Sequence, residues 1–188
     1  IHSTVTQFIA IFKELHIMVL GVTFVVALCA AVIYLVTPEF PVHESGIILI
    51  SGASTGIGRH AAEHMAKDGY TVFAGVRKQT DFDSIAALKN PNFQPILFDV
   101  TNHESCVKAV EFLKTYSSEH GLPLVAVVNN AGISRRMVAE FNSLEDARVV
   151  FETNFFGMMD LTQLTLPMLR ESKGRVVMIS SVAGVFGK

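Results

Sequence analysis

At 188 residues the chain is long enough for about one domain, and its 50% hydrophobic content is ample for a packed core. The formal net charge is -2, and no basic run appears, so neither nucleic acid nor an acidic lipid surface is an evident partner. The two cysteines, Cys29 in an apolar run and Cys106 in an amphipathic stretch, form neither a disulfide framework nor a metal-binding spacing, and no metal site is expected.

The first element is the run Ile17 to Val36, which holds no charged side chain and is interrupted only by Gly21, Thr23, Cys29 and the amphipathic Tyr34. As a helix rising ~1.5 Å per residue it would span about 30 Å, the thickness of a bilayer's hydrocarbon layer. A signal peptide or a buried core helix would be the alternatives. Ala30-Ala31 lies inside the run rather than after it, and Thr37-Pro38-Glu39-Phe40-Pro41 forms a stiff exit, so the run reads as one transmembrane helix. Lys13 alone does not set an orientation. The organisation expected is an N-terminal segment over 1–16, the transmembrane helix over 17–36, a linker over 37–45 and a dinucleotide-binding domain over 46–188. Because the chain opens on Ile1 rather than Met, its natural start is expected to lie upstream.

Beyond the linker, strand-like and helix-like segments alternate. Ile47 to Ser51 reads as a strand, Gly56 to Asp68 as a helix with Gly69 at its C-cap, and Thr71 to Val76 as a second strand. Phe82 to Leu88 reads as a short helix and Phe93 to Phe98 as a third strand. Thr101 and Glu104 make a capping box for a helix to about Ser118. Leu124 to Val128, nearly all aliphatic, suits a strand buried on both faces. Ser143 with Asp146 opens helical sequence to about Arg170, with room for a break, and Arg175 to Ser180 is a fifth strand. The alternation predicts an α/β fold: a doubly wound parallel sheet, Rossmann-like and incomplete at the C-terminus, preceded by one transmembrane helix.

Between the first strand and the first helix of this domain lies Ser51-Gly52-Ala53-Ser54-Thr55-Gly56-Ile57-Gly58. Glycines at these places admit a tight turn, the approach of a pyrophosphate and close seating of helix on strand, while the helix start offers N–H groups to the anion. An ordinary tight turn would also explain the pattern. Later residues add weight: Asp99-Val100, Asn129-Asn130-Ala131-Gly132 and Ser180-Ser181 each close a strand at the edge where open α/β sheets bind ligands, and Asn154 lies in the long helical region. Taken singly, Asp99 could cap a turn, Asn154 could be a solvated helix residue, and Ser180-Ser181 carries no weight. His60, His64, His103 and His120 read as surface residues; Phe155-Phe156 and Met158-Met159 read as core or helix-interface packing.

Together these residues resemble the short-chain dehydrogenase/reductase family, whose pattern is Thr-Gly-x-x-x-Gly-x-Gly, then Asp-Val, Asn-Asn-Ala-Gly, a helical Asn, and a Ser before Tyr-x-x-x-Lys. The resemblance covers Gly46 to Lys188, and the stretches Val128 to Ile133 and Gly174 to Gly184 are most similar to its retinol and hydroxysteroid dehydrogenase branch. It implies a cofactor loop of Ser51, Gly52, Ser54, Thr55, Gly56, Ile57 and Gly58. It further implies that Asp99 and Val100 flank the adenine, that Asn129 and Ala131 line the ribose side, and that Gly132 keeps that wall thin. Asn154 would hold a proton-relay water, and Ser181, rather than Ser180, would hydrogen-bond the substrate oxygen. Ser51 stands where the family more usually has Thr. The chain departs from the family in ending at Lys188 before any Tyr-x-x-x-Lys, and Tyr70 and Tyr116 lie in the wrong elements to replace the tyrosine. It therefore reads as part of a longer enzyme, or as a truncated product that binds cofactor poorly and is inactive.

The end of the second strand bears on the choice of dinucleotide. An NAD-selective site usually holds an acid about 20 residues past the glycine loop; here that place reads Gly75-Val76-Arg77-Lys78, with no acid until Asp81. Arg77 and Lys78 suit a 2′-phosphate, so NADP(H) is expected to be favoured over NAD(H). The resulting reading is a membrane-anchored NAD(P)-dependent oxidoreductase acting on a lipophilic alcohol or carbonyl such as a retinoid or steroid. By resemblance it would reside in the endoplasmic reticulum or a similar internal membrane, and could form a homodimer. An inactive interaction module and a non-redox nucleotide-binding enzyme such as a methyltransferase are the alternatives.

Overall fold

The computed structural model describes residues 2–36, 42–135 and 138–181. The chain divides into two compact units, residues 1–42 and 43–188.

The first unit is the helix α1, His2–Val36. Its segment His16–Val36 has a mean hydropathy of 2.7 and is long and apolar enough to cross a membrane, and none of it is buried within the protein. The helix runs continuously back to His2, so the region expected as a separate N-terminal segment is the same helix. The Thr37 to Pro41 exit lies outside the described residues.

In the second unit, strands β1 (Ile47–Ile50), β2 (Thr71–Val76), β3 (Phe93–Leu97), β4 (Leu124–Asn129) and β5 (Arg175–Met178) form one parallel sheet in the order β3-β2-β1-β4-β5. Helices α2 (Gly56–Lys67), α3 (Gln79–Ala86), α4 (His103–His120), α5 (Leu144–Phe151) and α6 (Gly157–Ser172) connect them. β1 and β2 are buried along their whole length because both faces are covered. Ile47, Leu49 and Phe73 pack with Cys106, Leu113 and Leu161 from α4 and α6. Ile48, Ile50, Val72 and Ala74 pack on the other face with Ala62, Ala66 and Ile85 from α2 and α3. Successive residues of a strand point to opposite faces, so the unbroken aliphatic run Ile47-Ile48-Leu49-Ile50 supplies two cores at once. Pro95 is accommodated because β3 is paired on one side only, with β2.

Several boundaries differ from expectation for identifiable reasons. The cap of α4 is Asn102, whose side chain accepts from Ser105 N at 2.9 Å; the Thr101 hydroxyl instead donates to Asp99 Oδ1 at 2.8 Å. α3 starts at Gln79, before the expected Phe82, and α2 ends at Lys67, with Gly69 at φ +96° just beyond its cap. The break in the long helical region is a π turn, Glu152–Phe156, between α5 and α6. Ser143 caps α5 as expected, accepting from Asp146 N at 3.0 Å. Phe155, Phe156 and Met159 are exposed rather than in a core.

Candidate cofactor cleft

The carboxyl ends of β1 and β4 are laced together beneath the glycine loop. Ser51 N donates to Val128 O at 3.0 Å, and Ala53 N to Gly75 O at 2.9 Å. The Ser51 hydroxyl accepts from Asn130 N and from Ala131 N, each at 3.0 Å. In return, Asn130 Nδ2 donates to Ser51 O at 3.0 Å and Gly52 O at 2.9 Å. This lacing leaves no room for side chains. At Gly52, in the left-handed region at φ +64°, a Cβ would stand 2.7 Å from Ala131 Cα; at Gly58 it would stand 2.6 Å from Gly52 O and strike Asn130 Nδ2.

Gly56 differs: its φ is +60°, yet nothing lies within 4 Å of where a Cβ would be. Gly56 is the first residue of α2, whose N-cap, Thr55, makes no side-chain capping bond. Uncapped N–H groups at a helix start, with open room in front, suit an anion such as a pyrophosphate. The loop forms one wall of a cleft of about 570 Å³. Arg77 and Lys78 stand at one end, Phe98, Asp99 and Val100 form a second wall, and Asn130, Ala131, Gly132, Ile133 and Thr153 form a third.

Comparisons with known proteins identify the family of this domain. The family model for short chain dehydrogenases matches residues 46–188. The chain belongs to the short-chain dehydrogenases. Among its relatives, the mitochondrial D-beta-hydroxybutyrate dehydrogenase of Mus musculus is 38% identical over 141 residues, which cover 73% of this chain and 41% of the mouse protein. An 11-beta-hydroxysteroid dehydrogenase-like protein of Arabidopsis thaliana is 33% identical, over 74% of this chain and 46% of the plant protein. A solved short-chain dehydrogenase from Streptomyces avermitilis superposes with a TM-score of 0.68 at 31% identity, covering 76% of this chain and 52% of that one. The chain thus spans less than half the length of these curated relatives.

Within this short-chain dehydrogenase domain, the cleft brings together Gly52, Ser54, Thr55, Ile57, Arg77, Lys78, Asp99, Val100, Ala131 and Gly132 of the residues singled out from sequence. Gly56 and Gly58, also singled out, are not among the lining residues, and two others, Ser51 and Asn129, lie beneath it. Ser51 is fully buried and its hydroxyl is engaged by β4's exit, so it holds the loop and makes no cleft surface. Asn129 is also fully buried: its Nδ2 donates to Thr162 Oγ1 at 2.9 Å and to Met178 Sδ at 3.3 Å, which ties β4 to α6 and β5. Strand alternation is the reason, since it turns Asn129 inward and the next residue outward. Asn130 is therefore the cleft asparagine that reading the sequence left out of the site, and its place in the alternation was the available signal.

Asn154, within the π turn, spends its side chain on the backbone of the loop after β4. Its Oδ1 accepts from Ile133 N and its Nδ2 donates to Ile133 O, both at 2.8 Å. Asp99 accepts from Thr101 N at 2.9 Å and so caps its own turn while lining the cleft. Ser180 and Ser181 follow β5 at the same sheet edge, exposed and outside the cleft lining; residues 182–184 of that motif lie outside the described residues. Among the described residues no three His, Cys, Asp or Glu side chains converge as metal ligands.

Proposed function

We propose that the whole protein is a membrane-anchored oxidoreductase that interconverts an alcohol and a carbonyl on a lipophilic substrate, using NADP(H) in preference to NAD(H). The observation that carries this reading is the single cleft joining an uncapped helix start behind Gly56 to the cations Arg77 and Lys78. A dinucleotide has those two needs: a place for the pyrophosphate and, in NADP, a place for the 2′-phosphate. When bound, it supplies or accepts a hydride; the chain's own part is to hold and orient it.

The Gly56 turn and the first turn of α2 would receive the pyrophosphate, and Asp99 and Val100 would flank the adenine. Ser181 would hydrogen-bond the reacting oxygen at the open edge of the sheet. Asn154 would fix the Ile133 backbone on the substrate side. The acid–base pair that the family carries in Tyr-x-x-x-Lys is not found within these residues, so turnover is assigned to the whole protein. The apolar helix α1 supports a lipophilic substrate, because an anchor would hold the site beside molecules dissolved in the bilayer. An internal membrane such as the endoplasmic reticulum and a homodimer complete the reading, and fractionation would separate the former from a mitochondrial placement like that in the mouse relative's name.

The test compares NADPH with NADH in full-length parent and Arg77→Ala. A charged hydrogen bond contributes about 1.5–3 kcal/mol, so loss of Arg77 should cut the NADP(H) preference roughly ten- to a hundredfold. In the same assay Ser181→Ala should bind either cofactor nearly as the parent does and lose about 10²–10³ in turnover. Equal use of both cofactors by the parent rejects the NADP(H) preference.

A further inference from the structure

Asp81 is separated in sequence from the strand end that holds Arg77 and Lys78, but the first turn of α3 carries it back to the same cleft wall. That turn is closed by Asp81 N and Phe82 N, which both donate to Lys78 O at 3.1 Å. The other acid of the helix, Asp83, accepts from Gln79 Nε2 at 2.7 Å and is not part of the cleft lining. Among the described residues no ion pair joins Asp81 to Arg77 or Lys78. One end of the cleft thus presents two cations and one anion that do not neutralise one another by contact.

Resting on the reading that this cleft takes a dinucleotide, we propose that Asp81 is a determinant of cofactor choice that acts against Arg77 and Lys78. Its carboxylate accepts the adenosine ribose 2′-hydroxyl of NAD(H) and repels the 2′-phosphate of NADP(H). The chemistry is that of the acid which normally follows the glycine loop by about 20 residues, delivered here by a helix turn instead of a strand end. The two opposed charge sets make the protein a user of both dinucleotides with a moderated NADP(H) preference.

Equilibrium titration of full-length, detergent-solubilised protein with NADPH and with NADH, followed by nicotinamide fluorescence, tests this. Asp81→Asn should tighten NADPH about five- to tenfold, the effect of removing one like charge at an exposed site, and should weaken NADH. Asp83→Asn, which removes the same charge outside the cleft, should leave both affinities unchanged, and Asp81→Glu should keep the parental order. If Asp81→Asn alters both cofactors equally or neither, or if Asp83→Asn reproduces its effect, Asp81 has no such role although the cleft still binds the dinucleotide. If the parent binds neither cofactor, the cofactor reading itself fails and this assignment falls with it.

Discussion

Ser51 shows how much one uncharged, fully buried residue can organise. Its hydroxyl accepts from two consecutive amides, those of Asn130 and Ala131, at the exit of β4. Ser51→Ala should cost about 1–2 kcal/mol in chemical denaturation, the penalty for stranding part-buried donors, and should weaken dinucleotide binding by loosening the glycine loop. Ser51→Thr keeps the oxygen and should retain most of both. Cys106 offers a second test. Burial, followed by the charges of Asp160 and Asp99, pushes its thiol from 9.0 up to about 12. The folded protein should therefore resist alkylation of Cys106 at pH 8, with labelling appearing only on denaturation, as read by mass spectrometry. Because the fold holds the neutral thiol, Cys106 favours the folded state below pH 9 and that contribution is lost as pH rises from about 9 to 12. At this scale the sequence was informative about residue type and less so about direction. Asn129 and Asn130 are chemically identical, and only the strand's pleat makes one a buried tie and the other a cleft wall.

At the scale of elements, the π turn couples the helical layer to the cleft. Asn154 is presented from Glu152–Phe156 with both polar atoms bound to Ile133. Removing them in Asn154→Ala should free the chain after Gly132, raising the rate of limited proteolysis within residues 133–143 while the thermal midpoint falls by only a few degrees, about 1–2 kcal/mol. Ordinary helical periodicity cannot reveal such a turn, because one extra residue is absorbed without a Gly or Pro to mark it; the sequence showed only that a break could occur. Capping boxes were legible where nothing competed, as at Ser143. They misled where a neighbour did: Asp99 takes the Thr101 hydroxyl, and the cap passes to Asn102. Strand order could not be read from any single segment, whereas the parallel arrangement followed from the alternation of strand-like and helix-like segments.

For the whole molecule, the two units differ in where their apolar residues lie: those of His16–Val36 are exposed, whereas β1 and β2 are buried. The apolar stretch His16–Val36 should hold the protein in membranes through alkaline carbonate extraction, and Val25→Lys combined with Val26→Lys should move it to the supernatant, since each charge at a helix centre costs about 2.5–3.5 kcal/mol on insertion scales. In the second unit, Phe151, Phe155 and Phe156 from the α5 and π-turn region are more than half exposed. An apolar surface of this kind is what interaction faces present; of these residues, the sequence pattern had placed Phe155 and Phe156 in core or helix-interface packing.

The position of β1 between β2 and β4 has a consequence in time as well as in space. Ser51, at the end of β1, and Val128, its partner on β4, are 77 residues apart in the chain. At about 5–20 residues per second, a ribosome needs roughly 4–15 s to make the second after the first. Once β2 is made, and until β4 follows, the most apolar strand of the sheet has β2 on one side and an open edge on the other, and the glycine loop has its bond from Ala53 N to Gly75 O but none of those to β4. Cofactor cannot assist before β4 emerges, because the serine and asparagine that lock the loop belong to opposite ends of this gap. Nascent chains halted before Leu124 should therefore remain protease-sensitive however much dinucleotide is added, and those extended past Gly174 should be the first to gain protection from it.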